Sequence, residues 1–321
     1  MDNDRSLYSD ELIIKPDATS AELDELMKTG NKEVKKAIAS HPNTSLETLV
    51  KLFRNYSEQV LNHPNLSLIL LGNPDFLEKL GNEPSFYLNS LSKFPQFFIE
   101  WAVNHSQASI RSEIAGNHYI PLNFLNKLAK DIDKNVRVSV AGTVCMSDPN
   151  FEWLYGKKAI NRTVNNHPDA ALRIIGQLAQ DKNMNVRYVV ANNSGTPIHI
   201  LEQLSFDSDW QVREAVARNR QTPETVLRRL FESENKTIVE SVARNRNIPN
   251  ELMEICAASD DNRLRYFIAG NSSATEVVLT KLAVDKNRDI RQQVANNSNT
   301  SPQIIEQLAK EGIQKNEDIP F

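Results

Sequence analysis

The feature that most constrains this chain is a motif that returns at a fixed interval. EAVARNRQTPE, residues 214 to 224, reappears 26 residues later as ESVARNRNIPN, residues 240 to 250, with the alanine, the asparagine and both arginines in the same places. Its centre is an aliphatic residue, alanine, any residue and asparagine. With the alanine as anchor, copies fall at Ala115, Ala141, Ala191, Ala217, Ala243, Ala269 and Ala295, and Asn165 fills the place between Ala141 and Ala191. The steps are 26, 24, 26, 26, 26, 26 and 26 residues, and Ala39 and Leu61 anchor two earlier, looser copies. A fixed period of this length is the signature of stacked supersecondary units. The expected fold is therefore all-α, an α-solenoid of about ten two-helix repeats of 24–26 residues.

Periodicity inside one copy predicts two short helices. The first carries aliphatic residues five before and one before the anchor, as in Val186 with Val190, Val212 with Val216, and Ile290 with Val294; residues four apart share a helix face. The anchor alanine lets a neighbouring backbone approach closely. The second helix is expected to start at Thr196-Pro197 and Thr222-Pro223, threonine as N-cap and proline at the first helical position, where its missing N–H has no partner to lose. Its buried face falls nine, ten and thirteen residues after the anchor, as in Ile200, Leu201, Leu204 and in Val226, Leu227, Leu230.

The segment VRYVVANNSGTPIHILEQLSFD, residues 186 to 207, resembles the leucine-rich repeat variant family, whose pattern reads VRxxVAxNxxTPxxxLxxLAxD. The resemblance runs from about Lys32 to Lys310 and is strongest between Ala115 and Leu308. It implies a right-handed superhelix in which α-helices alternate with shorter, often 3₁₀, helices, similar in shape to HEAT and armadillo arrays. A cysteine-ligated iron–sulfur cluster known in one member is not carried over, because this chain lacks the cysteine cluster. The family implies no reaction, so function has to come from particular residues.

One block departs from the period. Between Leu61 and Ala115 the punctuation shortens to NHPN, GNPD, GNEP and SKFP, and aromatics concentrate as Phe76, Phe86, Tyr87, Phe94, Phe97, Phe98 and Trp101. Rings in an irregular turn of an array are expected to be core, with a ligand groove as the alternative. The chain then divides into an N-terminal cap (1–31), degenerate repeats (32–61), aromatic-rich half-repeats (62–108), regular repeats (109–311) and a disordered tail (312–321).

Composition removes several function classes. A formal charge of −4 and an isoelectric point near 5.9 leave nucleic-acid binding to a local basic patch. Met1 to Asp10 has no signal-peptide character, and no apolar run approaches the ~20 residues of a membrane span; a soluble, cytoplasmic protein with no membrane partner is expected. Cys145 and Cys256, far apart, allow neither a disulfide framework nor a four-thiolate metal site within one chain. No Gly-rich phosphate loop, HExxH, GxSxG or kinase set occurs, so no catalytic residue, metal or cofactor is assigned and an enzyme is the weaker expectation.

Other groups read as structural. Aspartates ten before the anchor recur with arginines four before it: Asp131 with Arg137, Asp181 with Arg187, Asp207 with Arg213, Asp285 with Arg291. Stretches such as DIDKNVR suggest a calcium loop but lack its central glycine and distal glutamate. A ladder of Arg–Asp pairs fixing the register of neighbouring repeats is the expectation instead. Arg111 and Arg265 continue the arginine column, and Val239 interrupts it. His41, His63 and His167 stand two residues after an anchor, where other copies have Asn193, Asn219, Asn245, Asn271 and Asn297, and read as substituted turn residues. His105, His118 and His199 have no partner at ligand spacing, and Cys256 falls in a leucine column as a small core hydrophobe.

Two surface features remain. Arg218, Arg220, Arg244 and Arg246 lie one and three residues after adjacent anchors, so stacking aligns them into a small basic patch, joined by Arg228 and Arg229. Nine acidic against ten basic residues between Asp181 and Asn250 also allow a salt-bridged, solvated face there. Trp210, with Met184 at the equivalent place one copy earlier, offers an interface anchor, with Tyr188 and Tyr266 as companions. The expected function is a non-catalytic scaffold that binds another protein or peptide through an extended solenoid face. The alternative is a nucleic-acid-binding or DNA-repair solenoid, by fold analogy with alkylpurine glycosylases built of HEAT-like repeats.

Overall fold

Because each copy buries an aliphatic stripe too short to form a core alone, the chain folds by laying one copy on the next. The computed structural model describes residues 14–81, 94–144 and 168–315, and these are helical, with no strand among them. Residues Phe86, Tyr87, Cys145, Asn165 and His167 and both chain ends lie outside the described residues. Two compact units meet at Leu128 and Ala129.

In the first unit α1 (Ser20–Thr29) opens on a capping box in which the Thr19 hydroxyl and the Glu22 carboxylate each bond the other residue's backbone N–H. It is followed by α2 (Lys32–Ser40) and by α3 (Leu46–Leu61), which kinks at Tyr56 where the backbone leaves helical geometry. The shortened punctuation after Leu61 produces correspondingly short helices, α4 (Leu66–Gly72) and α5 (Phe76–Gly81), and then α6 (Gln96–Val103), α7 (Ala108–Ala115) and α8 (Leu122–Leu128). Phe76 and Phe98 are fully buried, and Phe98 packs against Phe53, Phe94 and Trp101 with ring centroids 5.2–6.2 Å apart. Phe76 and Phe98 are therefore core, Phe94 and Trp101 are half-buried, and Phe97, expected in the core, is exposed.

The second unit alternates first helices α9 (Lys134–Thr143), α11 (Met184–Asn192), α13 (Trp210–Arg218), α15 (Lys236–Arg244), α17 (Asn262–Ala269) and α19 (Arg288–Asn296) with second helices α10 (Pro168–Leu178), α12 (Ile198–Leu204), α14 (Glu224–Phe231), α16 (Asn250–Ala257), α18 (Glu276–Leu282) and α20 (Pro302–Lys310). Consecutive first helices pack directly on one another along the whole unit. The second helices, short as expected, are α-helical, and no 3₁₀ segment occurs among the described residues. The anchors Ala191, Ala217, Ala243 and Ala269 are fully buried, and the column residues of both helices, such as Val186, Val190, Val212, Val216, Leu201, Leu204, Leu227 and Leu230, are buried with them.

α9 packs directly on α11, and α10 contacts both. Its buried Ile174, Ile175 and Leu178 are the residues nine, ten and thirteen after Asn165, while the anchor Asn165 itself lies outside the described residues. One expectation needs correction: the threonines are not N-caps. Thr196 and Thr222 donate back to the carbonyls of Val190 and Val216 at the end of the preceding helix, and Pro197 and Pro223 take the cap position. Gly312, at φ +76°, turns the chain so that Ile313 is buried against the end of α20 and its N–H bonds the Leu308 carbonyl at 3.0 Å, which packs these two residues on the last repeat.

Two ladders hold the copies in register. In the first, the buried asparagine two after Ala217, Ala243, Ala269 and Ala295 accepts an N–H from two residues on and donates twice to the preceding copy: Asn219 to the carbonyls of Ala191 and Asn193, Asn245 to those of Ala217 (2.7 Å) and Asn219 (2.9 Å), Asn271 to those of Ala243 and Asn245, Asn297 to those of Ala269 and Asn271. His63 does the same work in the first unit, its Nδ1 accepting from Asn65 and its Nε2 donating to the His41 carbonyl at 2.8 Å; His41 repeats this with Asn43 and Lys15. His105, without a ligand-spaced partner in sequence, belongs to this column: its Nδ1 accepts from Gln107 and its Nε2 meets Glu78 at 2.7 Å.

The second ladder is ionic and runs between copies, not within them. Each arginine Nη1 donates to the backbone carbonyl of its own copy's aspartate position, while Nε and Nη2 grip the aspartate of the next copy: Arg137 with Asp181, Arg187 with Asp207, Arg265 with Asp285, Nε–O distances 2.6, 2.6 and 2.7 Å. Arg291 continues it to Glu311 at 3.3 Å. Burial opposes the ionised form of these three aspartates, but the hydrogen bonds from arginine and backbone prevail and hold each carboxyl below its ordinary value.

Candidate binding face

The alternating oxygens of DIDKNVR and its relatives are engaged by the protein itself. Asp181 Oδ1 accepts the Asn183 N–H, Asn183 Oδ1 accepts the Asn185 N–H at the start of α11, and the same two-step turn recurs at Asp207–Asp209 and Asp285–Asn287. What stays free for a partner is the outer surface of the first helices and the turns that follow them.

Trp210 opens α13 and is 44% exposed. Met184 holds the equivalent first position of α11, on which α13 packs, and is half-buried, as is Tyr188 one turn further along α11. Tyr266, in the column of Tyr188, is exposed and accepts a hydrogen bond from Gln293. Around it Asn262, Arg263, Asn287, Asp289, Gln292 and Gln293 line a shallow pocket of about 440 Å³.

The four arginines divide into two pairs. Arg218 and Arg244 end α13 and α15: Arg218 lies 3.7 Å from Glu214, and the Arg244 guanidinium stacks 3.8 Å from the Phe267 ring centroid. Arg220 and Arg246 sit exposed in the following turns, in no ion pair among the described residues, with Arg246 lining a depression of about 380 Å³ beside Glu224 and Asn247. Arg228 and Arg229 belong to the second helix α14. Arg228 meets Glu224 and Glu251, and Arg229 lies over Phe206 at 3.7 Å and donates to Ser205. Sequence reasoning did not anticipate the acidic partners Glu214 and Glu240; the latter, almost buried, pairs with the exposed Arg263 at 2.8 Å. Cys256 is fully buried and its thiol is pushed up to about 12, so it is protonated at any ordinary pH.

No helix among the described residues is long and apolar enough to cross a membrane. No family model and no curated protein matches this chain. Among solved structures, a leucine-rich repeat variant described as having a novel repetitive structural motif is 21% identical over 67% of this chain and 79% of its own, with a TM-score of 0.43. An engineered protein is 12% identical over 92% of this chain and 85% of its own, with a TM-score of 0.36.

Proposed function

We propose that this chain is a helical-repeat scaffold of the leucine-rich repeat variant type whose first-helix face binds another protein or a peptide. Trp210, Met184 and Tyr188 form the apolar part of that surface, and Arg218, Arg220, Arg244 and Arg246 its charged rim. One observation carries the reading. Trp210 is a large aromatic left 44% exposed at the first position of α13, and such residues supply much of the energy of interfaces. The arginines of this unit argue in the same direction, because Arg218, Arg228 and Arg263 already face Glu214, Glu224, Glu251 and Glu240. A polyanion would have to displace those contacts, whereas a peptide can lie along them.

The test is selection of a displayed peptide library on the immobilised full chain, followed by anisotropy titration of the selected peptides. Trp210→Ala is expected to weaken them at least roughly tenfold. The same proteins are titrated with labelled single- and double-stranded nucleic acid at rising salt. Peptides indifferent to Trp210→Ala would overturn the reading. So would salt-steep nucleic-acid binding abolished when the four rim arginines become glutamate.

A further inference from the structure

The ionic ladder breaks in the middle of the binding face, and the break leaves an arginine arranged like the others but without its carboxylate. Arg213 Nη1 donates to the carbonyls of Asp207 (2.6 Å) and Ser208 (3.0 Å), as Arg137 Nη1 does to Asp131 (2.7 Å) and Ile132 (3.1 Å). A guanidinium is planar, so fixing Nη1 also directs the Nε–Nη2 edge. In Arg137, Arg187 and Arg265 that edge holds a carboxylate of the next copy. For Arg213 the residue at that position is Ser233, whose hydroxyl keeps the local turn by accepting the Asn235 N–H at 3.2 Å but brings no charge. Glu232 and Glu234, the exposed acids on either side of Ser233, form no ion pair with Arg213 among the described residues. Arg213 and Ser233 are both half-buried, within reach of a ligand yet partly shielded from water.

We propose that the Nε–Nη2 edge of Arg213, with Ser233 beside it, is a receptor for a carboxylate, and that a bound peptide supplies it as an Asp or Glu side chain, completing the ladder in trans. The chemistry is that of the chain's own three pairs: two parallel charge-assisted hydrogen bonds to a planar acceptor. The peptide as source is favoured by Trp210, three residues before Arg213 on the same helix and so its neighbour on the helix surface. An apolar residue of the peptide on Trp210 and an acidic one on Arg213 make a two-point motif. The peptide part rests on the scaffold reading above; the carboxylate receptor does not.

Two measurements separate them. In the first, propionate, the side-chain analogue, is titrated into the full chain at constant ionic strength while arginine Nε–H resonances are followed, with Arg213 identified by its loss in Arg213→Lys. The Arg213 resonance is expected to move saturably. Ser233→Asp, which installs the residue that four other copies carry, should shift it without propionate, abolish the response and raise the melting temperature. No response in the wild type, or an equal one in Ser233→Asp, would overturn the receptor whatever peptides do. In the second, peptides that depend on Trp210 are tested against Ser233→Asp and with each acidic residue changed to its amide. A loss of at least roughly tenfold in both is expected. Peptides that need Trp210 but tolerate both changes would remove the acidic side chain as ligand and leave the scaffold reading in place.

Discussion

Asn245 offers the sharpest test of how the copies are joined. Its side chain is 4% exposed and makes three hydrogen bonds, donating at 2.7 and 2.9 Å to the carbonyls of Ala217 and Asn219 and accepting at 2.8 Å from the Asn247 N–H. The Ala217 carbonyl is one of those at a helix end with no partner inside its own helix. Asn245→Ala therefore removes three bonds of about 0.5–1.5 kcal/mol each and strands the Ala217 carbonyl, while the Asn219 carbonyl keeps the Thr222 N–H, for a loss of about 2–4 kcal/mol. Asn245→His copies the chain's own solution at His63, one donated and one accepted bond, and is expected to recover about half of that. The assay is guanidinium unfolding followed by circular dichroism and tryptophan fluorescence in parallel. Since each copy contacts only its neighbours, a weakened joint should also separate the two signals into distinct transitions. An alanine variant within about 0.5 kcal/mol of wild type, or a histidine variant no better than alanine, would refute the ladder as the joint.

Three further outcomes are expected. Burial holds His63 in its neutral form, its pKa below the ordinary 6.5; as pH falls below that value the unfolded chain gains the proton first, so stability is lost on acidification, and His63→Asn should reduce the slope of a melting-temperature profile between pH 7 and 5, leaving the contribution of His118, which burial lowers likewise. Asp285→Ala leaves Arg265 buried without its counter-charge and should cost about 3–5 kcal/mol by denaturant titration, while Arg265→Val together with Asp285→Ser, the pair the chain itself uses at Val239 and Ser259, should recover most of it. Ala217→Leu or Ala243→Leu, at sites with no exposed surface, should destabilise by about 1–3 kcal/mol through overpacking; unchanged thermal unfolding in both would mean that the anchors are not the points of close approach.

The period, the two helices per copy and the buried columns were legible because burial repeats with the sequence. The joints between copies were legible only in part. Asn245 looks like a turn residue because its accepted bond is local, whereas its donated bonds end 26 and 28 residues earlier, where no short-range pattern points. Arg187 stands six residues after Asp181 and 20 before Asp207, and composition cannot say which it holds. One signal was available: Glu311 continues the acidic column at the 26-residue step after Asp285 with no arginine six residues beyond it, which only pairing between copies explains. At the candidate site, the columns of Trp210 and of the four arginines follow from the repeat. Glu240, buried beside Arg263, could not be read as a partner, because an acidic residue on a helix face ordinarily means a solvated one.

The break in the ionic ladder and the proposed binding face coincide, and the coincidence has a physical reading. Two successive joints lack the buried clamp, the one from Arg213 to Ser233 and the one from Val239 to Ser259. At those joints other contacts cross between copies nearer the surface: Ser241 donates to Glu214 at 2.8 Å and Arg228 meets Glu251 at 2.9 Å across the first, while Glu240 meets Arg263 at 2.8 Å and Arg244 covers Phe267 across the second. Arg228, Glu251, Arg244 and Arg263 are exposed, so several of the groups that hold register here are also ones a partner can touch. Exposed pairs are weak and salt-sensitive. Replacing a fully buried clamp by contacts that each have a partner at or near the surface therefore makes this stretch of the array the softer one, and a partner laid across it adds contacts there. Binding there and stiffness there become one equilibrium, since whatever binds the registered form stabilises it by mass action.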